Sequence, residues 1–401
     1  MEVGGVEPGA GLSASFEHWG VFLYIMLGML DGIISFLRRE AVLCIAFLCA
    51  AISFAFVPFD AAQVAASIDA RVIVLLFCLM AAVAGLKDCG LFSWCAAKLL
   101  ARGGSVRIVA FILVMLPFFA SMLVTNDVAL IAFVPFAIMA LGAAGRADLI
   151  VRVCVLQAIA ANLGGMVTPV GNPQNLFIYT HFHIGLMDFF AALLPFALLT
   201  FVLLGAACLA LGKSPVSVRI PFDETRIARR RFAFHVALFA LCLLCVARVL
   251  AHQVLLVVVL VALLAFDRKT FKQVDYGLLG TFVCFFVFSG NIAHIPAVAD
   301  CLRGLMDAHP LLTSVAASQV ISNVPAAVLL AGFTDNWHSL LLGVDLGGLG
   351  TPIASLASLI AFRLYMHTPG ARAGAFMKEF ACANVAGLAA MLGLYALLFV
   401  L

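Results

Sequence analysis

The chain has 401 residues, 65% of them apolar and 11% charged, with a mean hydropathy of +1.18. A soluble domain averages about 45–50% apolar and about 25% charged residues, so the composition describes a polytopic membrane protein with little material for a soluble domain. The formal charge of +3 carries no nucleic-acid signal, because the basic residues gather in the connections between apolar runs.

Residues 1–19 hold Glu2, Glu7 and Glu17, and Arg38-Arg39 follow the first apolar run. That polarity is the reverse of a signal peptide, so residues 1–19 are expected to be an uncleaved extracytoplasmic segment. Apolar runs that match about 30 Å of hydrocarbon fall near 20–37, 41–57, 70–86, 149–184, 186–212, 232–249, 253–266, 277–293, 338–367 and 379–401. These give ten expected spans, with 253–266 expected to extend at both ends. Cysteines scattered through the runs read as small apolar packing residues.

Two more apolar segments, 106–142 and 311–334, are interrupted by Thr125-Asn126-Asp127 and Ser322-Asn323. Each reads as a re-entrant hairpin that returns to its own side. With the N-terminus outside, twenty of the 23 Lys and Arg residues then face the cytoplasm, leaving Arg71, Arg248 and Arg303 outside. This satisfies the positive-inside rule. The resulting fold class is all-α and polytopic. Two inverted repeats, 20–212 and 232–401, each carry five spans, one of them broken, and one re-entrant helical hairpin. The polar, basic stretch 213–231 joins them as a cytoplasmic linker, with anionic lipid as one partner open to it.

The broken spans share a motif. Asn162-Leu-Gly-Gly-Met-Val-Thr-Pro-Val-Gly-Asn-Pro-Gln-Asn corresponds to Asp345-Leu-Gly-Gly-Leu-Gly-Thr-Pro-Ile-Ala-Ser-Leu-Ala-Ser. Gly164, Gly165, Thr168 and Pro169 thus match Gly347, Gly348, Thr351 and Pro352. Proline removes a donor and clashes with the preceding turn. Interrupted helices at membrane depth are tolerated where they line a cavity or are buried in protein, and a pair of them marks a transporter's binding site.

The hairpin tips supply Thr125, Asn126 and Asp127 on one side and Ser322 and Asn323 on the other. Asn offers both donor and acceptor. Helix C-terminal carbonyls and amide oxygens suit a small cation, whereas N–H groups and positive helix ends suit an anion. A sodium ion is expected at Asn126, Asp127 and Asn323. Asp127 reads equally as an N-cap of the second arm and as a coupling acid. Asn172, Gln174 and Asn175 make the first break the richer hydrogen-bonding wall, against Ser355, Ala357 and Ser358. Asp345 stands where the first repeat has Asn162, and is expected near the outer membrane surface. Asp31 in the first span is read as a peripheral pairing residue. His181, His183, His235, His294 and His338 are expected at the membrane interface. HExxH, Walker, Rossmann and paired CxxC zinc signatures are absent.

The stretches Leu123-Val-Thr-Asn-Asp-Val-Ala-Leu-Ile, Thr168-Pro-Val-Gly-Asn-Pro-Gln-Asn-Leu-Phe, Gln319-Val-Ile-Ser-Asn-Val-Pro-Ala-Ala and Gly343-Val-Asp-Leu-Gly-Gly-Leu-Gly-Thr resemble the ion transporter superfamily. That superfamily includes citrate-type and divalent-anion symporters, arsenite permeases and one group of sodium/proton antiporters. The resemblance implies inverted repeats with two re-entrant hairpins, a homodimer and an elevator-like movement. In the symporter branch a Ser-Asn-Thr motif at each tip binds a carboxylate beside sodium. Here the third positions are Asp127 and Val324; an acid after the first Asn looks more like the arsenite-permease and antiporter branches.

The expected function is secondary transport of a small anion across the cytoplasmic membrane, coupled to sodium or protons, with no other cofactor. The alternative is a sodium/proton antiporter or arsenite-type exporter. Catalysis is not expected, although Asp127 and Asp345 would be the dyad of an intramembrane protease.

Overall fold

A computed structural model describes residue 37 and residues 40–100, 104–216 and 228–399. The segment 1–19, nearly all of the first expected span with Asp31, and the middle of the 213–231 linker lie outside the described residues.

The first half contains α1 (Ala41–Ser53), α2 (Ala61–Ser67), α3 (Ala70–Asp88), α4 (Leu91–Leu100), α5 (Val106–Ala120), α6 (Asn126–Ala143), α7 (Ile150–Gly165), α8 (Pro173–His181) and α9 (Leu186–Leu209). The second half contains α10 (Arg229–Val246), α11 (His252–Phe266), α12 (Tyr276–Ile292), α13 (Pro296–Ala308), α14 (Pro310–Ile321), α15 (Asn323–Leu330), α16 (Trp337–Leu346), α17 (Leu356–Met366) and α18 (Ala373–Phe399). A two-residue antiparallel ladder pairs Gly104 with Val216 and Ser105 with Pro215. The protein is thus a mostly helical, multi-pass membrane protein.

Helix starts follow side-chain chemistry. Asp60, Asp69 and Asp275 accept from the backbone N–H of Ala62, Val72 and Leu278 at 2.9, 3.1 and 2.9 Å, which satisfies donors that an unbonded first turn leaves open. Both long interrupted segments and both broken spans resolve into helix pairs. Among the described residues five helices are long and apolar enough to cross a membrane alone, including α3, α6, α9 and α18. The others expected to span are shorter, apart from α10, which has 18 residues but begins with three arginines. α11 is 15 residues and does not extend beyond the apolar run. Asp267 leaves the helical conformation and ends it, and Arg248, at φ 64°, turns the chain before it.

Two helices escaped the span pattern. α13 is amphipathic and bends 102° away from α12, and α4 precedes α5 as α13 precedes α14. Pro296 at the first helical position and Asp300, Arg303 and Asp307 on one face are the signals.

The core of the molecule is an exchange of arms. α5 packs on α7 and α14 on α16, each within its own half. α6 packs on α17 and α15 on α8, each across to the other half. Glycine permits the first kind of contact: a Cβ on Gly347 would stand 2.8 Å from the Ser318 Cβ, and one on Gly164 would collide with the Phe118 carbonyl. Pro117 lies inside α5 and removes the N–H that would bond the Leu113 carbonyl. Fully buried Gln157 of α7 replaces it, its Nε2 donating to that carbonyl at 2.8 Å. Outside this core α1 packs on α12 and α3 on α10. Cys78, Cys154, Cys208 and Cys242 are free and fully buried, as packing residues are.

His235 is fully buried, and its Nε2 lies 3.0 Å from Asp267 Oδ2 at the end of α11. Arg231 donates to the same oxygen at 2.6 Å and to Asp88 Oδ2 at 3.2 Å. These bonds tie the ends of α3, α10 and α11 together.

Candidate functional site

The site is built from four helix interruptions. α5 and α6 are joined through Ser121–Thr125, and α14 and α15 through Ser322 alone. α7 stops at Gly165 and α8 starts at Pro173; α16 stops at Leu346 and α17 starts at Leu356. Each tip is fixed to its break by the same two bonds. The Asn126 N–H donates to the Gly171 carbonyl at 3.1 Å, and the Asn323 N–H donates to the Ala354 carbonyl at 2.9 Å. Thr168 Oγ1 donates to the Met122 carbonyl at 2.6 Å, and Thr351 Oγ1 to the Gln319 carbonyl at 3.0 Å. Gly171 and Ala354 are corresponding positions of the repeated motif, as are Thr168 and Thr351; Met122 and Gln319 each lie four residues before the tip Asn. In both tips the Asn Oδ1 accepts from the next backbone N–H at 2.9 Å.

The second tip is the tighter. Ser322 adopts φ 75°, a left-handed conformation that costs a non-glycine residue about 1–3 kcal/mol. Gln319 braces the facing break: its Nε2 donates to the Gly347 and Leu349 carbonyls at 2.7 and 2.9 Å, and its Oε1 accepts from the Thr351 N–H at 2.8 Å.

Two buried polar groupings occupy the space between the breaks. In one, Asn162 Oδ1 accepts from Asn126 Nδ2 at 3.5 Å and from Ser355 Oγ at 3.3 Å, while the Asn162 carbonyl accepts from Asn172 Nδ2 at 3.1 Å. In the other, Asp345 Oδ1 accepts from Gln174 Nε2 at 2.9 Å, with Asn172 and Asn175 beside the carboxylate. Asp345 is only 2% exposed. It is thus buried in protein, where α16 packs against α8. Asn175 Nδ2 donates to the Met166 carbonyl at 3.0 Å, closing the first break on itself.

The residues singled out from the sequence divide. Asn126, Gly164, Gly165, Asn172, Asn175, Ser322, Asn323, Asp345, Gly347 and Gly348 are buried around these groupings. Pro169 is buried in the first break, and Thr125, Asp127 and Thr168 are half-buried. Thr351 is exposed and Pro352 half-buried, so the second Thr-Pro pair shapes its break from the outer side. Asp127 and Asp345 share no hydrogen bond among the described residues. Asn162, Gln174, Gln319 and Ser355 are the further members. Asn162, Gln174 and Ser355 belong to the repeated motif, and Gln319 precedes the second tip by one helical turn.

Several buried atoms here have no partner among the described residues: Asp127 Oδ1, Asn162 Nδ2, Asn172 Oδ1, Gln174 Oε1, Asn175 Oδ1, Asn323 Nδ2 and Asp345 Oδ2. A buried polar atom without a partner costs about 1–3 kcal/mol. Five of these seven are oxygens, which is the chemistry of a cation or a hydrogen-bond donor. No cluster of three His, Cys, Asp or Glu side chains fit to hold a metal occurs among the described residues.

A family model described as "Citrate transporter" matches residues 22–361. The chain belongs to the citrate transporter family, within the ion transporter superfamily. This family member is 31% identical over 299 residues to an uncharacterised transporter of Methanocaldococcus jannaschii, covering 74% of this chain and 81% of that one. It is 30% identical over 320 residues to the inner membrane protein YbiR of Escherichia coli, covering 77% and 83%. A shorter match, 33% over 131 residues, links it to a silicon efflux transporter of Oryza sativa and covers 32% of this chain and 26% of the plant protein. This citrate transporter family member is accordingly a membrane transporter.

Proposed function

We propose that the protein is a secondary active transporter of the cytoplasmic membrane, carrying a small anion in coupling to sodium or protons. The observation that carries this is the set of partnerless buried atoms where the two helix breaks face each other. The oxygens of Asp345, Asn172, Gln174, Asn175 and Asp127 take the coupling cation. The anion lies at the positive N-terminal ends of α6, α8, α15 and α17, held by the helix dipoles. Cation and anion then favour the same conformation, and such reciprocity is what coupling requires.

The architecture behind this reading is a pair of inverted repeats with α5–α6 and α14–α15 as re-entrant hairpins. The recurrence of the tip-to-break bonds at corresponding motif positions supports it. Exchange of α6 and α15 between the halves lets the site move as one body, as an elevator-like step in a homodimer demands.

A second reading has one observation in its favour. Asp345 is buried with no cationic side chain bonded to it among the described residues, which suits a carboxyl that trades a proton for a cation. That is antiporter or arsenite-type exporter chemistry, and the silicon efflux relative fits an export direction.

A thermal-shift screen of the purified chain with citrate, succinate, sulfate and arsenite, each with and without sodium, tests both. Anion transport predicts stabilisation by citrate, succinate or sulfate that grows when sodium replaces choline, or that changes with pH; stabilisation by arsenite alone, which is uncharged at neutral pH, supports the exporter. Stabilisation by sodium alone, with every anion inert, would leave the antiporter.

A further inference from the structure

A cavity of about 620 Å³ opens at the junction of α10 and the end of α11, lined by Arg230, Phe234, Phe266, Arg268 and Lys269 together with Arg231 and Asp267. Its one carboxylate is already engaged. Asp267 Oδ2 accepts from Arg231 at 2.6 Å and lies 3.0 Å from His235 Nε2, and Arg231 is also held by Asp88. Arg268 donates its Nε to the Leu264 carbonyl at 2.6 Å, which leaves its terminal nitrogens for a ligand. Arg230 and Lys269 are exposed and form no ion pair among the described residues. Among the described residues the cavity therefore presents three cations that no acid within it offsets. Its size is that of a small-molecule site.

The other wall is apolar and continues away from the charges. Phe266 is 79% exposed beside the mouth. Val254, Val257, Val261 and Leu264 are also exposed and recur at helical spacing along α11, so they form one stripe leading from the cavity along the helix. The positive-inside distribution of charge puts this end of α11 in the cytoplasmic leaflet. A cationic pocket at headgroup depth, joined to an apolar stripe that runs toward the bilayer centre, has the two-part chemistry of a phospholipid. A soluble anion would use only the first part.

We propose that this pocket binds the headgroup of an anionic phospholipid of the cytoplasmic leaflet, with an acyl chain lying along Val254, Val257, Val261 and Leu264. The guanidinium groups of Arg230 and Arg268 grip the phosphate oxygens, which their planar fork matches, and Lys269 adds a point charge. The bound lipid bridges α10 to the connection after α11. It thereby reinforces the junction that Arg231 and Asp267 already form. The inference rests on the membrane topology and not on what is transported.

Thermal unfolding of the purified full-length chain in neutral detergent tests it, with phosphatidylglycerol, phosphatidylcholine or inorganic phosphate added. Phosphatidylglycerol is expected to raise the melting temperature, and the other two are not. A basic residue near an anionic surface contributes roughly fivefold in affinity, so Arg230→Gln/Lys269→Gln should need about 25-fold more phosphatidylglycerol for the same shift. Arg303→Gln, at a residue paired with Asp300 on α13, should respond as wild type. If the double variant cannot be recovered, Arg230→Gln alone carries the test at roughly fivefold. Equal stabilisation by phosphatidylcholine, or an unchanged response of the charge variants, overturns the proposal. A shift reproduced by inorganic phosphate alone overturns the lipid assignment.

Discussion

Gln174 Nε2 donates to Asp345 Oδ1 at 2.9 Å, joining residues 171 positions apart from opposite helix breaks. Neither residue is more than 2% exposed. The bond is the direct side-chain link by which the first break holds the acid of the second.

Asp345→Asn keeps the shape of that side chain and removes its charge. On the proposed mechanism it should insert and fold normally but lose ion-coupled transport. Uptake into proteoliposomes, with and without a sodium or proton gradient, checks this. A variant whose accumulation still follows the gradient would take Asp345 out of the coupling site.

Gln174→Ala leaves Asp345 Oδ1 without its donor in a buried setting, which costs about 1–3 kcal/mol. Melting temperature should fall, and bound coupling ion should restore more of it than in wild type. A melting temperature equal to wild type with no ion present would show that the bond contributes nothing.

Asn126→Ala and Asn323→Ala should each abolish uptake while leaving membrane insertion intact, because each removes an amide from a tip whose backbone is held separately by Gly171 or Ala354. Wild-type uptake by both variants would defeat the assignment of the tips.

Ser322→Gly should stabilise the chain by about 1 kcal/mol, since glycine adopts the left-handed region freely. Chemical denaturation reads the change. The added freedom at the second tip should also slow or uncouple transport, and a stabilised variant with unaltered turnover would separate the strain from function.

Asp267 lies outside the spans. Burial pushes its carboxyl up, but the bonds from His235 and Arg231 outweigh burial and hold it below the ordinary carboxylate value. A depressed folded pKa contributes stability that is present above the unfolded value, about 3.9, and is lost as pH falls through the folded one. The contribution of the Asp267 carboxylate to the α3–α10–α11 junction should thus be constant above about pH 5 and be lost as the pH falls below about 4. Asp267→Ala, which strands buried His235, should lower the melting temperature throughout the constant range.

The helices were legible because apolar runs and polar interruptions are one-dimensional signals. The knots at Asn126 and Asn323 and the repeated Gly-Gly and Thr-Pro placed all four interruptions. What was not legible is what depends on the partner element. The burial of Asp345 follows from α8 approaching it, which its own sequence neighbours do not show. The burial of His235 likewise depends on Asp267, which the end of α11 brings 3.0 Å away. α13 is missed because an amphipathic helix never forms the continuous apolar run that identifies a span, and α4 because its ten residues are too few for one.

The crossing of α6 to α17 and of α15 to α8 has a consequence for biosynthesis. Polar side chains of the first break must wait in the membrane for some 170 residues of later chain before Asp345 and Ser355 arrive. The ribosome has nearly finished by then. Neither half can mature alone, so a chain truncated before α16 would present its unmet amides to quality control.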